Sequence, residues 1–211
     1  RVIGLLYRSP LFQIIGDEGN GYYGTAYAIY SMILMIATYS IPTAVSKIIS
    51  GKLALGEYRN ARRVFKCAFI YVVSVGLVAA VLTFAFAPAL VKEQPNAILS
   101  LQILAPTIFL SGFLAIYRGY LQAYKTMIPT SISQIIEQIA NAVVSVLAAY
   151  LMSRPFVPGT SEHAKYGAAG SAMGTGAGVL CGIIYILIAY AGRRKEKRSG
   201  RNAGRFFAQY R

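Results

Sequence analysis

The sequence predicts an all-α protein, a polytopic bundle of transmembrane helices. Three observations carry that prediction. The 211 residues are 56% hydrophobic and only 13% charged, against about 25% charged in a soluble domain. The charges are clustered, leaving long uncharged runs. The basic loops also alternate with loops poor in Lys and Arg.

The uncharged runs define the elements in order. Residues 19–46 give 28 positions without a charge. Residues 67–91 give 25, and 94–117 give 24. Residues 126–153 give 28, interrupted only by Glu137, and 166–192 give 27. Each exceeds the ~20 residues a helix needs to cross a bilayer core. A core helix of a soluble domain would show a charged face every second turn, and these runs do not. The expectation is five complete spans, near 21–48, 64–91, 97–124, 128–152 and 167–191. Residues 1–16, RVIGLLYRSPLFQIIG, read as the end of a preceding span, so the chain reads as a fragment that starts inside its first helix. No signal-peptide pattern is visible. Residues 1–192 form the helical lobe, and 193–211 form a basic tail or linker.

Connections follow from composition. GDEGNG at 16–21 reads as a tight hairpin, and SRPFVPGTSEHAKYG at 153–167 as a longer loop with two prolines. Pro42 and Pro106 fall inside expected spans, where neighbours or cavity water must satisfy the freed carbonyl. Cys67 and Cys181 have no metal or redox spacing and read as small packed residues. His163 is a solvated loop residue.

The net charge of +14 raises nucleic acid as a partner, but position argues against it. Lys47, Lys52, Arg59, Arg62, Arg63 and Lys66 fall in the loop between the first two spans or at its edges. Arg193, Arg194, Lys195, Lys197, Arg198, Arg201, Arg205 and Arg211 form the tail. The 17–18, 92–96 and 154–165 connections are poor in Lys and Arg. This is the positive-inside pattern. The 47–66 loop, the Lys125 turn and the tail are expected in the cytoplasm of a multi-pass cell-membrane protein, with the tail near anionic headgroups.

One span stands apart. In TSISQIIEQIANAVVSVLAAY, Thr130, Gln134, Glu137, Gln138, Asn141 and Ser145 share one side by helical spacing. A carboxylate at mid-membrane costs ~2.5–3.5 kcal/mol on insertion scales and must face protein or water. Depth supplies a partner. Arg118 and Glu137 flank the Lys125 turn on antiparallel helices, each roughly 10–15 Å from its end at ~1.5 Å per residue. Either they form an ion pair that pins two helices, or they line a polar cavity and exchange partners. Arg1, Arg8 and Lys47 are further cations able to face an anionic ligand, and Lys47 also suits a snorkelling anchor. In the last span Gly170, Gly174, Gly178 and Gly182 recur every fourth residue, either as static close packing or as a sliding surface. No phosphate loop, nucleophile triad or metal-ligand spacing is present. No catalytic residue, cofactor or metal is expected, and an enzyme is not.

The string GNGYYGTAYAIYSMILMIATYSIPTAVSKIISGKLALGEYRNARRVFK resembles the first helical pair of the stage V sporulation protein B-like polysaccharide flippases. These are related to MurJ-type lipid II flippases, within the multidrug/oligosaccharidyl-lipid/polysaccharide exporter superfamily. Pro106–Thr107, Arg118–Gly119–Tyr120, Pro129–Thr130 and the Gln134–Glu137–Gln138 element extend the resemblance over nearly the whole chain. The resemblance implies a two-lobed exporter fold with alternating access, of which this chain is the N-terminal half. It implies a lipid-linked saccharide on an isoprenoid pyrophosphate as substrate, with membrane lipids and a missing C-terminal helical half as partners. Arg1 matches the first cavity-lining arginine of the family's first helix, and Arg8 matches the second with a one-residue offset. The expected substrate-binding set is Arg1, Arg8, Lys47, Arg118, Gln134, Glu137, Gln138 and Asn141. The competing readings are a cation-coupled multidrug antiporter using Glu137, or a non-transporting membrane scaffold.

Overall fold

The computed structural model describes the backbone of residues 2–38, 41–124 and 127–208, and the side-chain surroundings of 10–36, 43–124 and 127–192. The described residues form six α-helices and one short 3-10 turn. The helices are α1 Val2–Thr38, α2 Ile41–Ala54, α3 Tyr58–Leu90, α4 Ile98–Ala123, α5 Ile128–Ser153 and α6 Ser161–Ala208, with the turn at Pro95–Ala97. Among the described residues four segments are long and apolar enough to cross a membrane: Tyr58–Leu90, Pro95–Ala123, Ile128–Ser153 and Ser161–Gly192.

The remaining expected span, 21–48, falls on α1 and α2, with residues 39–40 between them outside the described residues. Pro42 is the second described residue of α2. The basic stretch 47–66 is also not one loop. α2 runs to Ala54 and α3 begins at Tyr58. Only the turn around Gly56, at φ 74°, separates them. The GDEGNG hairpin shrinks to one non-helical residue, Gly16, at φ 69° and ψ −176°. Glycine alone adopts that left-handed region without a Cβ penalty. The 153–167 loop contracts to residues 154–160, and the backbone of α6 stays helical through Ala208.

The turn between α2 and α3 is tied by charge. Lys52 Nζ donates to Glu57 Oε2 at 2.9 Å, as does Asn60 Nδ2 at 2.9 Å. The Asn60 amide first, and then the Lys52 ammonium, hold the Glu57 carboxyl below the usual carboxylate range. A depressed folded-state pKa stabilises above the unfolded value and is lost as pH falls through the folded one. Protection factors at the amides of residues 55–58, corrected for the slower intrinsic exchange in acid, are therefore expected to fall as pH drops, and Glu57→Gln is expected to remove that acid dependence.

The bundle carries large apolar residues on its surface as well as in its core, and small polar residues are buried among its helix contacts. Ser100, Ser133, Ser145 and Ser171 are fully buried, while Ile36 is 88% and Ile188 66% exposed. This is the expected surface of a protein solvated by lipid tails, where close packing and interhelical hydrogen bonds replace the hydrophobic drive. One core cluster joins α1, α3, α4 and α6 around Tyr23, Tyr30, Leu101, Leu104 and Ile108. A second joins α4 and α6 around Leu114, Leu121 and Ile186. A third sets α2 against α3 and α4 through Val45, Ile49, Ala61 and Ala123. Before Gly16, Leu11 and Ile15 pack with Ala149 of α5.

Candidate functional site

α4 and α5 present the charged pair. Arg118 Nη2 donates to Glu137 Oε2 at 2.7 Å. Arg118 Nε donates to Ser133 Oγ at 2.9 Å, and Ser133 Oγ in turn donates to the Thr130 carbonyl at 2.7 Å. Ser133 is one helical turn below Glu137, so one guanidinium bridges two turns of α5. The side chains of Arg118 and Glu137 are 15% and 22% exposed. A guanidinium has five N–H donors, and two are used here. The others bond no described residue, which leaves them able to donate to an anion's oxygens.

A polar column extends from this pair. Ser111 lies two turns up α4 from Arg118, and its Oγ is 3.3 Å from the Tyr30 hydroxyl of α1. The Tyr23 hydroxyl is 3.4 Å from Thr175 Oγ1 of α6. On α5, Ser145 Oγ donates to Asn141 Oδ1 at 2.9 Å and lies 3.1 Å from the Ser171 carbonyl. α6 approaches this side through its glycines. A Cβ on Gly178 would sit 2.6 Å from the Glu137 carbonyl oxygen. One on Gly182 would sit 3.6 Å from Arg118 Nη2 and 3.7 Å from Glu137 Cβ.

The expected site residues therefore separate. Arg118 and Glu137 meet directly. Asn141 is half-buried and turned to Ser145, against the glycine face of α6. Gln138 is half-buried, whereas Gln134 is exposed. Lys47 is exposed on α2. Arg8 belongs to α1, but its side chain lies outside the described residues, as does the whole of Arg1. Ser133, Ser111 and Tyr30 were missed by sequence reasoning. The signal for Ser133 and Ser111 was spacing: Ser133 is four residues before Glu137, and Ser111 is seven before Arg118. Among the described residues no group of three His, Cys, Asp or Glu side chains could hold a metal ion.

Long apolar helices, a lipid-facing exterior and an intramembrane ion pair define a multi-pass membrane protein. The chain belongs to the family described as polysaccharide biosynthesis protein, whose profile matches residues 1–208. Among curated proteins it is similar to the lipid II flippase MurJ of Bacillus subtilis (strain 168). The two are 24% identical over 196 residues, which is 88% of this chain and 36% of that protein. It is also similar to stage V sporulation protein B of the same organism, 24% identical over 200 residues, 93% of this chain and 37% of that protein. The chain thus spans a little over a third of the length of the curated relatives it matches. No solved structure matches it.

Proposed function

We propose that this chain forms one helical lobe of a flippase that carries a lipid-linked saccharide precursor across the cytoplasmic membrane. The carrying observation is the Arg118–Glu137 pair, 2.7 Å apart within apolar helices, whose guanidinium retains unused donors. A pyrophosphate linked to a polyprenyl chain is anionic at one end and greasy at the other. Arg118 supplies charge and planar donors to its oxygens. Arg1, Arg8 and Lys47 add cations along the path. Gln134 and Gln138, on the less covered side of α5, offer amides to sugar hydroxyls. Glu137 orients the arginine and tempers its grip, so that the anion can leave. The family membership and the similarity to a protein named as a lipid II flippase support this reading. The working protein on this reading combines this lobe with a second helical half, and transports rather than catalyses.

The test is complementation by the full-length protein in a depleted strain. Arg8→Ala and Arg118→Ala are expected to abolish rescue while the protein still reaches the membrane. Ile135→Ala, at an outward residue 52% exposed, is expected to be silent. Normal rescue by both arginine variants would overturn the charged-path mechanism. The lipid-linked intermediate that accumulates on depletion identifies the saccharide.

The same reading fixes sidedness. Residue 160 belongs to the outer face, and the basic end at 193–211 to the cytoplasm, as a linker toward the second half. A single cysteine introduced at 160 should react with an impermeant thiol reagent added to intact cells, and one at 200 should not. The opposite pattern would reverse the topology.

A further inference from the structure

The inner end of α3 carries a second charged feature, which the transport path does not use. Arg59, Arg62, Arg63 and Lys66 are all exposed. Their spacing of three, four and seven residues puts them on one face of the first two turns. Among the described residues none of the four forms an ion pair. The nearest carboxylate in sequence, Glu57, is already held by Lys52 and Asn60. Charge is therefore concentrated and uncompensated.

The same face continues up the helix in a different chemistry. Ile70, Leu77, Val81 and Phe84 extend the series and are 65%, 52%, 57% and 52% exposed. From Cys67 to Leu90 the helix rises ~36 Å at 1.5 Å per residue, slightly more than the ~30 Å hydrocarbon core. The four cations thus lie at the headgroup level, and the apolar stripe lies beside the tails. Opposite this face, Ala61, Val64, Phe65 and Ala68 pack against α2 and α4. That packing fixes the helix in rotation and holds the cations outward.

We propose that this face of α3 is a binding site for an anionic phospholipid of the cytoplasmic leaflet. The headgroup phosphate engages Arg59, Arg62, Arg63 and Lys66, and the acyl chains lie along Ile70, Leu77, Val81 and Phe84. Charge complementarity selects the headgroup, as polybasic segments beside spans do. The continuous apolar stripe selects a lipid over nucleic acid, which would need a polar surface beyond the cations. The site rests on the proposed reading only for the cytoplasmic sidedness of this helix end, and it involves neither Arg118 nor Glu137.

The test uses the full-length protein, purified in detergent and exposed to equal amounts of phosphatidylglycerol and phosphatidylcholine. Retained lipid is then counted by native mass spectrometry. The wild type is expected to retain phosphatidylglycerol in roughly fivefold or greater excess. Changing Arg59, Arg62, Arg63 and Lys66 together to Gln should abolish the preference, whereas changing the three arginines to Lys should keep it. Lys92→Gln and Lys165→Gln, at the other end of the bundle, should leave it intact. Should the Gln variant fail to fold, photocrosslinking from benzoylphenylalanine placed at Ile70 decides. An adduct of phospholipid mass supports the site. A crosslink to polypeptide, or an unchanged preference in the Gln variant, overturns it.

Discussion

Arg118→Ala is expected to lower the stability of the lobe by about 3 kcal/mol, while Glu137→Gln costs about 1 kcal/mol. The asymmetry follows from what each change leaves behind. Without the guanidinium, the Glu137 carboxyl loses its 2.7 Å partner among apolar helices. Ser133 Oγ loses a donor at the same stroke. With glutamine at 137, the amide oxygen still accepts from Arg118, and no orphaned anion remains. The figure for arginine sits at the low end of the range for a broken buried pair, because the two side chains are 15% and 22% exposed. The double variant Arg118→Ala/Glu137→Gln should therefore be more stable than Arg118→Ala alone. Reversible unfolding in mixed micelles, read by far-UV circular dichroism, measures all three. Equal losses for the two single changes would show that the pair contributes packing rather than charge compensation. Transport distinguishes the variants further, since Glu137→Gln keeps the cation that the proposed path needs.

That pair was legible in the sequence because depth is a one-dimensional quantity. Two ionisable groups in adjacent antiparallel spans, equally far from their shared turn, have few other places to go. The exterior was legible for a similar reason, since Ile135, Ile139, Val143 and Leu147 follow one outward stripe. Helix ends were less legible. Charge runs mark where a span leaves the hydrocarbon, not where the helix stops. The inner ends of α2 and α3 carry Lys47 to Lys66 on helical turns that charge counting reads as loop. The rotation of α5 against its neighbours was the hardest part. The i, i+3, i+4 rule groups Gln134, Gln138 and Asn141 on one side. It does not say that α6 covers Asn141 and Ser145 while leaving Gln134 open. Coverage depends on which helix approaches and how closely, and here that is set by glycines on another span.

Those glycines carry the second large expected effect. Gly174→Ala should destabilise the lobe by about 3 kcal/mol, the upper end for overpacking. A Cβ there would collide with Ser145 Oγ and lie 2.5 Å from the Ser145 backbone nitrogen. Backbone cannot move aside as a flexible side chain can, so α5 and α6 must separate. The neighbours on the same face leave no relief. A Cβ on Gly170 would meet the Ala148 carbonyl oxygen at 2.5 Å, and one on Gly178 the Glu137 carbonyl oxygen at 2.6 Å. Contact is thus backbone to backbone over three successive glycines, ~12 Å of helix at 1.5 Å per residue. Helices locked at this range over that length move as one body, which favours static packing of α5 on α6 over a sliding surface between them. Separation would also loosen the cover over Glu137 and Asn141, so Gly174→Ala is expected to weaken transport without touching a charged group. Gly51→Ala is the control. It changes the same residue type in α2, where an added Cβ meets nothing within 4 Å, and alanine should stabilise that helix by about 0.5–1 kcal/mol. The opposite signs of the two changes are the measurable point, in the same micelle unfolding assay. If Gly174→Ala proved as stable as Gly51→Ala, α5 and α6 would have to be less closely packed than the glycine spacing and geometry require, and the rigid-pair argument would fall.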